Sequence, residues 1–268
     1  MLTLIGIVMF LLSIAAHELG HAFAMKKYGY QMTEICLCGI GNIIFQFKIN
    51  KIFGDTPITI RMFPFVGFVR YSEITALRMK LANWKSYTHI KGGGVIANFL
   101  FSAILYTIVM IMVGNYSTWN LILISLLFLI GLFPRVTTHL VLPIGIFLLY
   151  SILHTLFNMQ PHQVAETGKS VGSVVTIAAD IHKSISVIDM IMRVSLISIS
   201  IGILNALPLI PLDGGHLATF YIEKLFPKHR SMVAKIYGWV TFIPLAILIL
   251  FCLKNDLMLI VNYICKLF

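Results

Sequence analysis

The 268-residue chain has little charge. Asp, Glu, Lys and Arg make up only 11% of its residues, whereas 59% are apolar. Soluble domains carry about a quarter charged residues. A composition this poor in charge excludes an ordinary water-soluble protein, because no polar half remains to cover a hydrophobic core. The sequence therefore predicts an all-α polytopic membrane protein.

Acidic residues and cysteines are also scarce. Ten Asp and Glu stand against 20 Lys and Arg, which gives a net charge of +10. Such a basic excess is typical of nucleic-acid binding or of the cytoplasmic loops of membrane proteins. The four cysteines, Cys36, Cys38, Cys252 and Cys265, are too few and too scattered for a disulfide framework. Cys36 and Cys38 lie in a predicted strand and are interpreted as two buried thiols rather than a metal site.

Apolar stretches close to the length of a bilayer recur along the chain. A helix of about 20 residues spans the roughly 30 Å hydrocarbon core. Six spans are predicted: Leu2–Ala16, Val95–Val113, Leu121–Phe133, Leu140–Phe157, Ile188–Pro211 and Ile236–Leu253. The third is short and could instead be half of a re-entrant hairpin. The first could also be read as a signal peptide, but no Lys or Arg precedes it.

The segment between the first two spans is predicted to contain β-structure. Apolar and polar residues nearly alternate in Ile43–Ile49 and Pro57–Met62, which predicts a β-hairpin. Phe65–Tyr71 is a further strand candidate.

The positions of the cations predict an orientation. If the N-terminus is extracytoplasmic and six spans follow, 15 of the 20 cations fall on the cytoplasmic side. The cations follow membrane ends and do not form a stripe with interleaved aromatic residues, so no nucleic-acid partner is predicted. The predicted location is the cell inner (plasma) membrane, with the lipid bilayer as the surrounding partner and the segment between the first two spans on the cytoplasmic side.

The segment His17-Glu18-Leu19-Gly20-His21 has the pattern of a metal site. On a helix, two His at positions i and i+4 share one face and can bind one Zn²⁺, and the Glu beside the first His can act as general base. Ionisable residues at the end of an apolar helix are usually functional, because they are costly to bury in lipid. The alternative is a solvated helix end.

Asp213 is the candidate for a third metal ligand, since catalytic zinc sites have three protein ligands and water. It lies in the segment 205–216, NALPLIPLDGGH, where Pro208 and Pro211 interrupt an apolar helix. No cation is adjacent to this acid, which suggests that a metal neutralises it. The alternative is a helix-ending turn whose Asp faces water. His216, three residues later, could be a further partner of the site.

These residues resemble the two signatures of the site-2 protease family of intramembrane zinc metalloproteases, and most closely its bacterial regulator-of-sigma-E protease branch. The likeness extends in the family's order over about the first 115 and the last 100 residues. It continues in Gly39–Gly41, Phe63–Val69, Gly92–Asn98 and Val171–Ala179.

The resemblance implies a role for each motif residue in the chemistry. His17, His21 and Asp213 would bind Zn²⁺, and Glu18 would be the catalytic base. The water that attacks the peptide carbonyl would lose its proton to this base, which would later protonate the leaving amine.

The resemblance also implies the substrate contacts. Asn205 and Pro208 would contact the substrate backbone, while Val66, Gly67 and Phe68 would supply an exposed strand edge to an unwound substrate. The substrates implied are transmembrane proteins or peptides, including anti-sigma factors and remnant signal peptides.

The chain is predicted to form a single intramembrane metalloprotease domain. Its predicted parts are the first span (1–27), a β-structured and amphipathic segment (28–94), a span (95–114), an extra apolar hairpin (116–159), an extracytoplasmic loop (160–187), a span with the LDGG motif (188–216) and a last span (236–254). The hairpin stands where the branch usually has PDZ domains and is far too short for one. In addition, Ile210 occupies the position of the family's second proline, with Pro211 one residue later.

Two other functional classes remain open at this point. A catalytically silent membrane scaffold or substrate-binding protein would keep the fold without the reaction. A metal or solute transporter would need more polar residues along the spans than the sequence has.

Overall fold

The computed structural model describes residues 2–63, 66–81, 83–114, 117–132, 134–158, 186–243 and 245–246. Helices dominate this part of the chain, and four strands form one small sheet. The helices are α1 (Leu2–Lys27), α2 (Asn50–Phe53), α3 (Glu73–Leu81), α4 (Trp84–Val113), α5 (Thr118–Leu132), α6 (Pro134–Asn158), α7 (Val187–Ala206), α8 (Asp213–Leu225) and α9 (230–243). The strands are β1 (Met32–Cys38), β2 (Ile40–Lys48), β3 (Pro57–Phe63) and β4 (Phe68–Tyr71).

Three of the described helices, α1, α4 and α7, are long and apolar enough to cross a membrane. They correspond to the first, second and fifth predicted spans. The third and fourth predicted spans fall on α5 and α6, which contain only shorter apolar helical stretches, Thr118–Ile130 and Thr137–Ser151. The last predicted span, Ile236–Leu253, lies in part outside the described residues, as do most of the predicted loop 160–187 and the segment Val171–Ala179.

Helix bounds differ from the predicted spans where polar residues continue a helix. Helix α1 runs through the motif at 17–21 to Lys27, so this motif lies inside the helix rather than at its end. Helix α4 begins at Trp84 and not at Val95, because the Asn83 side chain caps it by accepting a hydrogen bond from the N–H of Lys85. Helix α6 begins at Pro134 and not at Leu140, since proline is tolerated in the first turn of a helix.

The predicted span Ile188–Pro211 is divided in the structure. Helix α7 ends at Ala206, and a turn over 207–212 leads into α8, which begins at Asp213. Pro208 and Pro211 have no N–H to donate, so the helix cannot continue through them. The Ile210–Pro211 peptide bond is cis. This break allows a helix to start at Asp213 and fixes where its carboxylate lies.

The sheet has the strand order β2-β3-β1-β4. Strands β2 and β3 form the predicted antiparallel hairpin, and the short helix α2 lies in the connection between them. Strand β1 pairs in parallel with β3 and antiparallel with β4. The predicted strand Phe65–Tyr71 is observed in a shorter form as β4, which is an edge strand of this sheet.

Helices α1 and α4 cross closely through small residues. A Cβ atom added at Gly20 would overlap the carbonyl oxygen of Gly93 and lie 2.7 Å from Cβ of Ala97. Small residues at such crossings let two backbones approach within a membrane. Helix α7 joins α4 through a buried hydrogen bond between the hydroxyls of Ser102 and Ser195, 2.7 Å apart. The motif in α1 is thereby packed beside α4 and close to the turn that precedes α8.

Candidate metal centre and active site

The structure brings His17, His21 and Asp213 together. Asp213 Oδ2 lies 3.1 Å from His17 Nε2 and 3.0 Å from His21 Nε2, and the two Nε2 atoms are 3.2 Å apart. All three side chains are nearly buried, with 8%, 12% and 11% of the His17, His21 and Asp213 side chains exposed. Among the described residues they form a group that could hold a metal ion.

The hydrogen bonding of His21 favours a metal at this point. Its Nδ1 lies 2.6 Å from the carbonyl oxygen of Ile90, which can only accept, so Nδ1 carries the proton and Nε2 presents a lone pair when the ring is neutral. The Nε2 lone pair of His21 then faces the Asp213 carboxylate oxygen at 3.0 Å, a pair of acceptors that a cation between them would stabilise. In a tetrahedral zinc site with bonds of about 2.0–2.1 Å, ligand atoms lie about 3.3 Å apart. The observed separations of 3.0–3.2 Å fit this donor set closely.

Gly94 of α4 closes one side of the group. A Cβ atom at this position would lie 2.5 Å from Nε2 of both His17 and His21. The two imidazoles therefore occupy the space that any larger residue would need. This contact could not be predicted from the segment Gly92–Asn98, because it depends on how α1 and α4 cross.

Glu18 lies beside the candidate metal ligands in a cavity of about 550 Å³. It is 8% exposed, and Gly67 is in direct contact with its side chain. The cavity is lined by His17, Glu18, His21 and Asp213 together with residues of three other regions. From the sheet region these are Val66, Gly67, Phe68, Val69 and Tyr71; from the helices they include Phe10, Ile14, Lys91, Ile201 and Asn205; from the segment around α8 they are Pro211 and His216.

Of the residues predicted to contact substrate, all but Pro208 line the cavity. Asn205 and the stretch Val66, Gly67 and Phe68 line the cavity, and the Asn205 amide donates to the carbonyl of Ile201 at 3.1 Å. Pro208 is buried and does not line this cavity. Lys91 and Tyr71, which line the cavity, were not singled out from the sequence, because neither belongs to a local motif.

Helix α9 forms hydrogen bonds with the turn before Asp213. The Tyr237 hydroxyl donates to the carbonyl of Pro208, and the N–H of Ile210 donates to Oγ1 of Thr241 at 3.3 Å. Both contacts fall within the segment that positions Asp213. Helix α9 therefore supports the candidate metal centre, and none of its described residues lines the cavity.

An ion-pair cluster attaches β4 to the rest of the sheet. Oε1 of the buried Glu34 accepts from Thr59 at 2.6 Å and from Arg61 at 2.6 and 3.1 Å, and its Oε2 pairs with Arg70 of β4 at 2.9 Å. Burial by itself would raise the pKa of Glu34, but the hydrogen bonds from Thr59 and Arg61 and the charges of both arginines hold it below its ordinary value. Glu34 is therefore a structural carboxylate that fixes the strand beside the cavity.

Cys36 and Cys38 are free, buried thiols, as predicted. Cys36 Sγ donates to the carbonyl of Gly39 at 3.3 Å. Burial raises the pKa of both thiols, which disfavours the thiolate form that metals bind. Cys252 and Cys265 lie outside the described residues.

Comparison with known proteins gives one family. The model of peptidase family M50 matches residues 5–251, a range that contains the motif at 17–21, the sheet and Asp213. None of the curated proteins matches the chain. Because the match extends over nearly the whole chain and includes the site described above, the chain belongs to peptidase family M50, the site-2 protease family of membrane-embedded metalloproteases.

Proposed function

We propose that this protein is an intramembrane zinc endopeptidase that cleaves transmembrane segments of other membrane proteins. The observation that carries the proposal is the convergence of His17 Nε2, His21 Nε2 and Asp213 Oδ2 within 3.2 Å of one another, with Glu18 in the same cavity. Membership of family M50 supports the protease class. The closely packed donor set supports Zn²⁺ as the cofactor.

The three ligand residues would hold the metal and define the reacting point. Zn²⁺ bound there would supply a Lewis acid, which lowers the pKa of water and polarises a peptide carbonyl. His21 keeps its Nε2 lone pair directed at this point through its Nδ1 hydrogen bond to Ile90. The Asp213 carboxylate, whose side chain is 11% exposed, would compensate part of the cation's charge.

Glu18 is the proposed general base. Its carboxylate adjoins His17 in sequence and lines the same cavity. It would take a proton from the attacking water onto a carboxylate oxygen and then transfer that proton to the nitrogen of the departing amine. Its low exposure of 8% separates this proton from bulk solvent between the two steps.

The substrate proposal rests on the edge strand β4 and on the apolar lining of the cavity. A transmembrane helix hides its amides, so it must become extended before a scissile carbonyl can reach the metal. An extended segment could pair with a free strand edge, as in β-augmentation. Val66, Gly67 and Phe68 would receive it, Asn205 would bind its backbone, and Phe10, Ile14 and Ile201 would contact its apolar side chains.

The distribution of cations supports the proposed orientation in the membrane. Basic residues cluster between Lys26 and Lys91, from the C-terminal end of α1 through the connecting segment to the first turns of α4. By the positive-inside rule this segment would face the cytoplasm, with the N-terminus outside and the metal centre near the cytoplasmic face of the plasma membrane.

The test is cleavage of a co-expressed single-span reporter by the Glu18→Gln variant. This change removes the base and keeps the side chain nearly the same size, so we expect cleavage to stop while the purified variant retains zinc. Glu73→Gln is the matched control, because Glu73 is exposed in the first turn of α3. It should cleave at the wild-type rate.

Each other outcome of this experiment rejects the proposal. Cleavage that persists in Glu18→Gln would exclude Glu18 as the base. A wild-type protein that binds zinc but cleaves no single-span reporter would favour the silent scaffold. Metal-dependent flux through proteoliposomes without cleavage would favour a transporter.

A further inference from the structure

Three buried polar side chains beside the metal centre have atoms with no hydrogen-bond partner within the described part of the chain. These atoms are Ser13 Oγ, His17 Nδ1 and both Oδ1 and Nδ2 of Asn98. Ser13 and Asn98 are fully buried, and His17 is 7% exposed. A buried carboxamide without a hydrogen bond costs free energy. The cost is larger inside a membrane, because lipid tails cannot form the hydrogen bonds that water forms. A hydrogen bond to a group of the metal site would explain why an asparagine occupies position 98.

The helix geometry places these groups in one region. Ser13 lies one turn before His17 on the same face of α1. Asn98 lies one turn after Gly94 on α4, and Gly94 is the residue in contact with both imidazoles. Because α1 and α4 cross through Gly20 and its neighbours on α4, the turn of α4 that contains Asn98 lies alongside the turn of α1 that precedes the crossing.

Helix α7 closes the same region on its other side. The Ser198 hydroxyl donates to the backbone carbonyl of Asn98 at 3.0 Å, and a Cβ atom at Gly202 would lie 3.4 Å from Cβ of Asn98. The Asn98 side chain is thus enclosed by packed helices, and the Ser198 hydroxyl contacts its backbone rather than its amide.

The two metal-binding histidines differ in how their second nitrogen is satisfied. His21 Nδ1 donates to the carbonyl of Ile90, whereas His17 Nδ1 is buried without a partner. A histidine that binds metal through Nε2 carries its proton on Nδ1, and this N–H almost always donates to an acceptor that fixes the ring. Among the unsatisfied groups nearby, Asn98 Oδ1 and Ser13 Oγ can accept.

We propose that Asn98 is a positioning residue for His17, acting through one ordered water that Ser13 also binds. The water accepts the Nδ1–H of His17 and donates to Asn98 Oδ1 and Ser13 Oγ, which gives it the three polar partners typical of a buried water. His17 is thereby held in the tautomer and orientation that direct its Nε2 lone pair at the metal. This inference rests on the proposed zinc site and assigns the outer contact of its first ligand.

The test measures zinc affinity of the purified full-length protein by competition with a chromogenic chelator. Asn98→Leu removes the acceptor at similar volume, and we expect zinc affinity to fall roughly tenfold to a hundredfold. Asn98→Asp keeps an acceptor oxygen and should retain zinc within a few-fold of wild type. The control Ser102→Ala removes a buried hydroxyl of the same helix, bonded to Ser195, and should leave zinc affinity unchanged.

A double-mutant cycle separates positioning from general loosening of the helices. If Asn98 acts through His17, Asn98→Leu should weaken zinc binding no further in a His17→Gln background, yet should retain its full effect in a His21→Gln background. Equal effects in both backgrounds would overturn the proposal, as would an Asn98→Leu variant that binds zinc within twofold of wild type. Thermal unfolding of the metal-free variants shows which of them are folded, and Asn98→Asp provides the comparison if Asn98→Leu is not.

The same measurements distinguish this inference from the proposed function. Zinc binding that depends on His17, Asp213 and Asn98 in a protein that cleaves no reporter would reject the protease and leave the role of Asn98 intact. Normal cleavage together with wild-type zinc affinity in Asn98→Leu would reject only the role of Asn98.

Discussion

Gly67 lies against the side chain of Glu18 so closely that a Cβ atom at residue 67 would come within 2.9 Å of Glu18 Oε1. Gly67 precedes the edge strand β4, whereas Glu18 belongs to the helix that carries the two histidines. The proposed general base therefore lies next to the strand that is proposed to receive the substrate. It also leaves room only for backbone beside the carboxylate.

Substitution of Gly67 by Ala should therefore reduce cleavage without removing zinc. The added methyl group must displace the Glu18 side chain or the strand, and a shift of about 1 Å in a catalytic group can lower the rate roughly a hundredfold. Glu18 is not a proposed ligand, so zinc content should stay at the wild-type level. Reporter cleavage and metal analysis of the same preparation test both statements. Gly238→Ala is the control, because a Cβ atom at Gly238 meets nothing within 4 Å.

Substitution of Gly94 by Ala should, in contrast, reduce zinc binding as well as cleavage. A Cβ atom there would lie 2.5 Å from Nε2 of both histidines, so the ligands themselves must move. We expect zinc affinity to fall by about tenfold or more, with cleavage falling as a consequence. Chelator competition tests this directly. Wild-type zinc affinity in Gly94→Ala would contradict the close packing of α4 on the candidate metal centre.

The ligand candidates could be identified from the sequence because their signal is local. His17 and His21 share a helix face through their spacing, and Asp213 follows two prolines that end an apolar helix. The contacts of Gly67 and Gly94 could not be predicted in this way. Each glycine is required by a side chain far away in sequence, and only the packing of α1 against α4 and the sheet brings them together.

Hydropathy predicted where helices exist better than where they begin. It placed the start of the second span at Val95, whereas α4 starts at Trp84, because a cap and tertiary contacts stabilise a polar first segment that a hydropathy pattern does not register. There Thr88 hydrogen-bonds the Tyr221 hydroxyl at 3.0 Å, and Tyr87 stacks on Phe220 of α8. The predicted β-hairpin was correct because alternation in a strand is also a local signal.

Tyr237→Phe should weaken zinc binding although Tyr237 lies outside the cavity. Its hydroxyl donates to the carbonyl of Pro208 in the turn that leads to Asp213. Loss of one such hydrogen bond is worth about 1 kcal/mol, which corresponds to roughly a fivefold loss of affinity if the turn is ordered mainly in the metal-bound state. Tyr106→Phe removes a comparable hydrogen bond, to Asn120 on α5, and is the matched control. Equal zinc affinity in the two variants would contradict a supporting role for α9.

Glu34→Gln should destabilise the sheet and remove part of its sensitivity to acid. The pKa of Glu34 is lowered in the folded protein relative to its ordinary value of 4.5, so its ionised form stabilises the fold. This contribution is fully present above about pH 4.5 and is lost as the pH falls through the lower folded-state pKa. The wild-type unfolding temperature should therefore drop as the pH is lowered below about 4.5, and Glu34→Gln should start lower and change less. Asp55→Asn is the control, because Asp55 is 97% exposed and pairs with Lys48 only at 3.7 Å. Parallel acid profiles for wild type and Glu34→Gln would show that the Glu34 cluster does not anchor β4 through its charge.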